Sequence, residues 1–171
     1  MKREAVVFWF RWQEERAPIR IFTDSDWAGC RMSRKSTSGG VIMLGNHCLR
    51  SWSLNQSAIA LSSAEAEYYV MVEGATRGLG VKTVLSELGV SAELVMFTDS
   101  SAAKSLASRR GVGRVRHIET RWMWLQIEVA KGRVRLEKVK GDISPADILT
   151  RYKNVPEIEK LLNPIGIEIC R

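Results

Sequence analysis

Two segments of the sequence carry an aspartate directly after an apolar run. Ile19–Gly29 reads IRIFTDSDWAG and Leu94–Ser101 reads LVMFTDSS, so each run ends in Thr-Asp-Ser. Apolar runs that break into turn-forming residues are typical of buried strands. A carboxylate at such a strand end loses hydration, and its charge must be compensated by solvent, a basic partner or a metal ion. Asp24 and Asp99 are therefore the first candidates for a site.

The two aspartates are expected to lie on one rim of a sheet. Leu94–Phe97 is an unbroken apolar run, which is typical of a parallel strand covered on both faces. If the two strands are parallel neighbours, their carboxyl ends meet where the sites of α/β sheets form. A single aspartate at a strand end is usually a helix cap, whereas two in the same Thr-Asp-Ser frame favour a functional site.

Two further carboxylates lie near the starts of predicted helices. A helix is predicted from about Ser62 to about Gly89, and the S-x-x-E spacing of a capping box accounts for Glu65. Positions at helical spacing from Glu67 are small and apolar, whereas those from Glu65 are more polar, so Glu67 is expected to face the sheet. Asp147 follows Ser-Pro-Ala at the start of the last predicted helix. An ion pair for Glu67 and a helix-dipole contact for Asp147 are the alternatives.

The elements around these carboxylates predict an α/β fold. Three strands with short connections predict an antiparallel meander, and helices then alternate with two more strands. The first 17 residues are predicted to be a helix end and a connection, and the tail beyond Lys153 an accessory helix or a stretch outside the domain. The remaining predicted elements are strands at Ile19–Phe22, Gly39–Leu44, Cys48–Leu54, Leu94–Phe97 and Val134–Val139, and helices at Ala102–Ser108, from His117 to about Ala130, and from Ser144 onward.

Composition narrows the class of protein. The chain has 171 residues, enough for one domain with a full core that buries roughly 70% of its unfolded surface. Its net charge of +7 favours a polyanionic partner without identifying one. Its three cysteines have no CxxC spacing, so neither a disulfide framework nor a zinc site is indicated. Reduced thiols in a cytosolic-type compartment fit best, and no transmembrane span is predicted.

An arginine-rich segment precedes the penultimate predicted helix. It reads RRGVGRVR and is either a solvated flexible loop or a phosphate-binding loop. Its arginines are Arg109, Arg110, Arg114 and Arg116.

Seven motifs in order resemble the ribonuclease H domain of copia-type retrotransposon polyproteins. They are TDSDWAG, RKSTSGG, SWSLNQ, ALSSAEAEY, FTDSSAA, RHIETR and PADILTR. Each motif alone is weak, but seven in order are specific, and they run from about Ile19 to Arg151. The resemblance implies a ribonuclease H-like fold whose five-stranded mixed sheet combines the meander with two parallel strands. It implies an upstream reverse-transcriptase connection over 1–18, the ribonuclease H domain over 19–153, and a tail over 154–171.

The resemblance also implies a reaction. It is the endonucleolytic hydrolysis of the RNA strand of RNA–DNA hybrids during reverse transcription, with two Mg²⁺ ions that Mn²⁺ can replace. By motif position, the ions are held by Asp24, Glu67, Asp99 and Asp147. Two ions about 3.5–4 Å apart can activate a water and stabilise the leaving oxygen. Asp24 is expected to bridge them, Glu67 and Asp99 to hold the leaving-group side, and Asp147 the nucleophile side.

The expected partners follow from this activity. They are the hybrid and the upstream reverse-transcriptase domain of the same polyprotein, with no membrane and no small-molecule cofactor, in a cytoplasmic virus-like particle or the nucleus. Asn55, Gln56 and Ser63 are expected to read the 2′-hydroxyls of the wide minor groove. The four arginines are expected to bind phosphates. His117 lies in the family's HI motif, with a structural or a phosphate-contact role.

One departure from cellular ribonucleases H leaves other functions open. Those enzymes carry a histidine in the loop before the last helix, where this chain reads Lys140-Gly141-Asp142. The difference bears on turnover more than on reaction type. The main alternative is a catalytically silent nucleic-acid-binding or structural module of the same fold. An integrase or another nuclease on this fold is less favoured, because integrases use three carboxylates at a different spacing.

Overall fold

The computed structural model describes residues 5–13, 17–111, 113, 118 and 120–170 of the chain. Its strands are β1 (Ala5–Phe8), β2 (Ile19–Asp26), β3 (Thr37–Leu44), β4 (His47–Asn55), β5 (Leu94–Thr98), β6 (Arg135–Lys138) and β7 (Ile167–Cys170). Its α-helices are α1 (Ser63–Glu87), α2 (Ser101–Ser108), α3 (Trp124–Ala130) and α4 (Val155–Leu162). Short 3-10 turns occupy Thr120–Met123, Gly141–Ile143, Pro145–Leu149 and Asn163–Ile165.

Five of the strands form one mixed sheet in the order β4-β3-β2-β5-β6. The pairs β4–β3 and β3–β2 are antiparallel, whereas β2–β5 and β5–β6 are parallel. The tight β3–β4 turn contains Gly45 at a φ of +57°, a left-handed conformation that glycine adopts without strain. Helix α1 carries the chain from β4, at one edge of the sheet, to β5, which is parallel to β2. The predicted sheet of a three-strand meander plus two parallel strands is confirmed.

The sheet has a hydrophobic core on each face. Ile21 and Met96 belong to the larger core, which packs under α1, α2 and α3. Phe22 and Val41 belong to a smaller core, which the C-terminal part of the chain covers with Ala146 and other apolar side chains. Because side chains alternate along a strand, Asp24 shares the face of Phe22 and looks toward the C-terminal segment.

Helix α1 lies unusually close to β2. A Cβ atom at Gly78 would lie 2.1 Å from Ile21 Cδ1, and one at Gly74 would lie 2.8 Å from Thr23 Cγ2. These two glycines lower helix propensity, yet they let the helix backbone approach the sheet. The close approach brings the first turns of α1, which carry Glu67, to the end of β2.

Helix α1 is also buried on the side that the sequence predicts to be more polar. Tyr68 and Tyr69 are both buried. The hydroxyl of Tyr68 donates to the carbonyl of Trp122, and the Tyr69 ring lies 4.5 Å from the Trp122 ring. The turn before α3 therefore covers this side of α1, a long-range contact that helical spacing alone does not reveal.

Both ends of the described chain differ from the sequence prediction. The N-terminal segment contains a strand, β1, instead of a helix end, and it pairs antiparallel with β7. The tail contains the predicted helix, α4, but then continues into β7. Partners about 160 residues apart give no local signal, so this two-stranded sheet was not predicted. The division into domains stays a prediction.

Within the described residues, 3-10 turns occupy parts of two predicted helices. The segment expected to open the last helix is the 3-10 turn Pro145–Leu149, and the helix predicted from His117 is described only as the turn Thr120–Met123 followed by α3. None of the helices in the described part of the chain combines the length and apolar character needed to span a bilayer.

Candidate metal centre

The two Thr-Asp-Ser segments lie side by side at the end of β2 and β5. Phe22 is the register partner of Phe97, and their rings stack with centroids 4.8 Å apart and planes 14° apart. Each aspartate follows its phenylalanine by two residues. Asp24, within β2, and Asp99, directly after β5, therefore lie at the same level and on the same rim, as the repeated sequence predicts.

Glu67 reaches this rim from the first turns of α1. Its Oε1 atom accepts hydrogen bonds from the backbone amide of Ser25 at 3.0 Å and from the Ser25 hydroxyl at 3.2 Å. The residue next to Asp24 therefore fixes one oxygen of the glutamate. Glu65 has a different role, because its Oε2 accepts from the amide of Leu61 at the helix start. The predicted distinction between the two glutamates agrees with these contacts.

The three carboxylates form a compact group. One oxygen each of Asp24, Glu67 and Asp99 lies within 4.8 Å of the others. The Oε2 atom of Glu67 is buried and has no hydrogen-bond partner among the described residues. A buried carboxylate oxygen without a partner is costly, and a cation would satisfy it. The donors are hard oxygens, the kind that Mg²⁺ and Mn²⁺ prefer, so the residues fit a divalent ion.

The crowding changes the proton affinity of two of these groups. Burial, followed by the negative charge of Asp24, raises the pKa of Glu67 to about 8, against the hydrogen bonds from Ser25. Burial also raises the pKa of Asp24 to about 6, with repulsion from Asp147 and Asp99 acting in the same direction. The hydrogen bond from Thr150 and the charge of Arg151 oppose that rise. Like charges collected without a cation favour protonation, and a bound cation would reverse this.

Asp147 lies near the group but is held by basic side chains. It sits in the 3-10 turn Pro145–Leu149 and is buried. Its Oδ2 lies 2.5 Å from Lys153 Nζ, and its Oδ1 lies 3.3 Å from Arg151 Nε. The structure therefore brings three predicted carboxylates together and places the fourth beside them in an ion pair.

A glycine on the neighbouring strand lets the Asp147 turn approach Asp24. Gly39 is the register partner of Asp24 on β3. A Cβ atom at Gly39 would lie 2.7 Å from Thr150 Cγ2 and 2.9 Å from Leu149 Cβ. The hydroxyl of Thr150 donates a hydrogen bond to Asp24 Oδ2. The turn that carries Asp147 thus docks over Asp24 because position 39 has no side chain.

The loop after β6, which lacks the histidine of cellular ribonucleases H, closes the other side of the site. It forms the 3-10 turn Gly141–Ile143. A Cβ atom at Gly141 would lie 2.9 Å from Asp99 Oδ2, so this backbone packs directly against the carboxylate. A side chain at position 141 would crowd that oxygen.

The three predicted minor-groove residues lie from the end of β4 to the start of α1. Asn55 and Ser63 are exposed, whereas Gln56 is buried. The amide of Gln56 donates to Ser38 Oγ at 3.1 Å and to the Ala66 carbonyl at 2.9 Å, which ties β3 to α1. Asn55 and Gln56 also line a groove of about 440 Å³ beside Trp122. A direct contact with nucleic acid stays a prediction for all three.

The predicted phosphate-binding arginines are only partly described. Arg109 and Arg110 follow α2, whose eight residues separate them from the carboxylate rim by about 12 Å of helix. Arg110 is exposed. Gln126 anchors the start of the loop, since its side chain accepts from the Gly111 amide and donates to the Leu106 carbonyl, each at 2.8 Å. The other predicted residues of this segment, Arg114, Arg116 and His117, lie outside the described residues.

Sequence reasoning missed the residues that position the carboxylates. Ser25, Gly39, Thr150 and Lys153 act on their carboxylates through side-chain contacts or through the absence of a side chain. Ser25 and Thr150 carry a signal in retrospect, because both lie within motifs that contain a predicted ligand. Lys153 carries none, since a lysine in a polar tail is ordinary.

Comparison with curated proteins places the chain near plant transposon polyproteins. It is 32% identical over 135 residues to the retrovirus-related Pol polyprotein from transposon TNT 1-94 of Nicotiana tabacum, over 78% of the chain. It is 26% identical over 152 residues to the retrovirus-related Pol polyprotein from transposon RE1 of Arabidopsis thaliana, and this match covers 87% of the chain. The chain spans 10% of the length of each relative. No protein-family model matches it.

Solved structures share the fold. The N-terminal RNase H domain of a Mycobacterium tuberculosis protein matches with a TM-score of 0.54 and 17% identity, over 78% of this chain and 91% of that one. LC11-RNase H1 in complex with an RNA/DNA hybrid matches with a TM-score of 0.50 and 17% identity, over 77% of this chain and 92% of that one. Prototype foamy virus protease-reverse transcriptase matches with a TM-score of 0.51 and 12% identity, over 82% of this chain and 21% of that one. The fold class predicted from the sequence is confirmed.

Proposed function

The chain belongs to the ribonuclease H domains of copia-type retrotransposon Pol polyproteins, and we propose that it hydrolyses the RNA strand of RNA–DNA hybrids with divalent metal ions. The observation that carries the proposal is the group of Asp24, Glu67 and Asp99, with the buried Oε2 of Glu67 left without a hydrogen-bond partner among the described residues. A purely structural cluster would gain stability by pairing that oxygen or by replacing the glutamate.

The position of each carboxylate in the fold indicates its role in the site. Asp24 lies between the α1 carboxylate and the Asp147 turn, so it is the group that both parts of the site share. Glu67 from α1 and Asp99, directly after β5, would hold a divalent ion together with Asp24. Asp147 is paired with Lys153 and Arg151, and it would add a carboxylate to the metal site only if those ion pairs opened. When bound, divalent ions supply charge neutralisation and an activated water.

The surface around the carboxylates suits a polyanionic substrate. Arg31, Arg34 and Lys35 belong to the loop between β2 and β3, directly beyond the strand that carries Asp24. Trp27 is half exposed in the same loop, and its indole nitrogen donates to the Ala60 carbonyl at 3.1 Å. This bond joins the segments that lead out of β2 and into α1. We expect the hybrid to lie across this edge, with more distant phosphates near Arg109 and Arg110.

A cleavage assay tests the proposal. The 171-residue chain is incubated with an RNA–DNA hybrid labelled on the RNA strand, with Mg²⁺ and then with Mn²⁺, beside Asp24→Asn and an RNA duplex. We expect the wild type to cut the RNA of the hybrid and not the duplex. Asp24→Asn should lose at least about 100-fold in rate, since the shared ligand has lost its charge. Equal cleavage by both proteins would overturn the assignment.

Binding measured in parallel separates the alternative function. Hybrid affinity should fall steeply with salt, because the contacts displace counterions from phosphates. If the wild type and Asp24→Asn both bind the hybrid with the same salt dependence and neither cuts it, the domain is a catalytically silent binding module. The ion pairs that hold Asp147 are the observation that favours this second outcome.

A further inference from the structure

We propose that Thr150 is a positioning residue, whose hydroxyl holds the Asp24 carboxylate in the orientation that binds a divalent cation. The inference deepens the proposed function and rests on it, because the cation is the ligand that function requires. Thr150 lies 126 residues from Asp24 in sequence, just beyond the turn Pro145–Leu149. It coordinates nothing itself in this proposal and acts only through Asp24.

The hydrogen bond is directed at one oxygen of a buried carboxylate. The Thr150 hydroxyl donates to Asp24 Oδ2, and Asp24 is only 3% exposed. The Asp147 carbonyl is a more distant acceptor, 3.3 Å from the same hydroxyl oxygen. The terminal torsion of an aspartate is broad, so a carboxylate without such a bond rotates between orientations. A fixed Oδ2 leaves the plane of the carboxylate defined before any ion arrives.

No other described side chain performs this task. Within the described part of the chain, Thr150 is the one side chain that donates a hydrogen bond to the Asp24 carboxylate. The nearby cations of Arg151 and Lys153 are paired with Asp147 instead. Glu67 has its own hydroxyl donor in Ser25. Asp24 and Glu67 are thus oriented by neutral donors, a hydroxyl for Asp24 and the hydroxyl and amide of Ser25 for Glu67, which leave the negative charges for the cation.

The methyl group of Thr150 has a separate packing role. It packs over Gly39, the β3 partner of Asp24, where a Cβ atom would lie 2.7 Å from Thr150 Cγ2. The backbone amide of Thr150 lies 3.4 Å from the Asp147 carbonyl, which links it to the turn. Threonine therefore uses both branches of its side chain, the methyl for packing on β3 and the hydroxyl for Asp24.

Two variants separate these branches. Thr150→Val keeps the methyl over Gly39 and removes the hydroxyl, whereas Thr150→Ser keeps the hydroxyl and removes the methyl. Mn²⁺ affinity is measured by calorimetry on the metal-free 171-residue chain without nucleic acid, and thermal unfolding is measured without metal. We expect Thr150→Val to weaken Mn²⁺ binding about tenfold and Thr150→Ser to stay within about twofold of the wild type. Thr150→Ser should have the larger loss in melting temperature.

The outcomes distinguish this inference from the proposed function. Wild-type affinity in Thr150→Val, or equal weakening in both variants, would overturn the positioning role while leaving the nuclease assignment intact. Wild-type Mn²⁺ binding without hybrid cleavage would count against the nuclease and not against Thr150. A wild type that binds no Mn²⁺ would overturn both, because Asp24 would then have no cation to receive.

Discussion

Phe22 stacks on Phe97 across the parallel pair of β2 and β5, and each ring precedes by two residues an aspartate of the carboxylate group. The stack fixes the relative height of the two strands. A shift of either strand by one residue would turn its aspartate to the other face of the sheet. The repeated Phe-Thr-Asp-Ser sequence therefore fixes the register of β2 against β5 and also supplies two of the carboxylates.

The metal-free protein should lose stability as pH rises. Asp24 and Glu67 have pKa values of about 6 and about 8 in the folded protein, above their ordinary values of 3.8 and 4.5. The folded state then binds protons more tightly than the unfolded state, so the free energy of unfolding falls between about pH 4 and pH 8. Urea unfolding at pH 5, 7 and 9 in EDTA measures this. Added Mg²⁺ should flatten the dependence, and a flat profile in EDTA would contradict the prediction.

Glu67→Gln should stabilise the metal-free protein and abolish its response to metal. The amide oxygen can still accept from Ser25, while the buried charge is gone. We expect a gain of about 1–2 kcal/mol at pH 9 and little gain at pH 5, where the wild-type glutamate is protonated. Chemical unfolding with and without Mn²⁺ provides the measurement.

Glu65→Gln is the matched control for that experiment. Glu65 is buried on the same helix, but it accepts from the Leu61 amide and does not belong to the carboxylate group. It should keep the stabilisation by Mn²⁺ and show no gain at pH 9. An equal gain in both variants would mean that charge anywhere at the start of α1 is unfavourable, which would remove the special status of Glu67.

Gly39→Ala should damage the metal centre through packing. The new methyl group would lie 2.7 Å from Thr150 Cγ2, 2.9 Å from Leu149 Cβ and 3.0 Å from the Ala146 carbonyl oxygen. Overpacking of this kind costs about 1–3 kcal/mol, and the displaced turn should weaken Mn²⁺ binding. Thermal unfolding and calorimetry measure the two effects. The double variant Gly39→Ala/Thr150→Ser lacks the methyl group that causes the nearest clash, so it should regain part of the lost stability.

Two glycines of α1 should respond to alanine in opposite directions. Nothing lies within 4 Å of a Cβ atom at Gly80, so Gly80→Ala should stabilise the protein by about 0.5–1 kcal/mol through helix propensity. A Cβ atom at Gly78 would lie 2.1 Å from Ile21 Cδ1, so Gly78→Ala should destabilise it by about 1–3 kcal/mol. Guanidinium unfolding of the pair measures both, and a gain at position 78 would show that α1 is looser on the sheet than described.

The parts of the site that local sequence can specify were predicted. Asp24 and Asp99 follow strands with a clear apolar pattern, and helical spacing separated Glu67 from Glu65. These features depend on residues within a few positions of each other. Together with short connections, they also predicted the three-strand meander and the parallel neighbour of its first strand.

The parts that depend on distant contacts were missed. The Thr150 hydroxyl, the Lys153 ion pair and the clearance at Gly39 exist only after the C-terminal segment folds back over β2. The strand β1 has little buried surface and owes its form to β7. Neither hydrophobic periodicity nor a short motif indicates contacts between such distant residues, so they could not be predicted from a single sequence.

The pairing of β1 with β7 places the first and last strands of the described residues side by side. Ala5 is the register partner of Cys170, and Phe8 that of Ile167. When two end strands are neighbours, the chain can be joined there and opened elsewhere without changing the arrangement of its elements in space. A short flexible linker could join these strands, and the chain could be reopened at the exposed turn of Lys131 and Gly132 between α3 and β6. Such a circular permutant would retain the neighbours of Asp24 while beginning at a different residue.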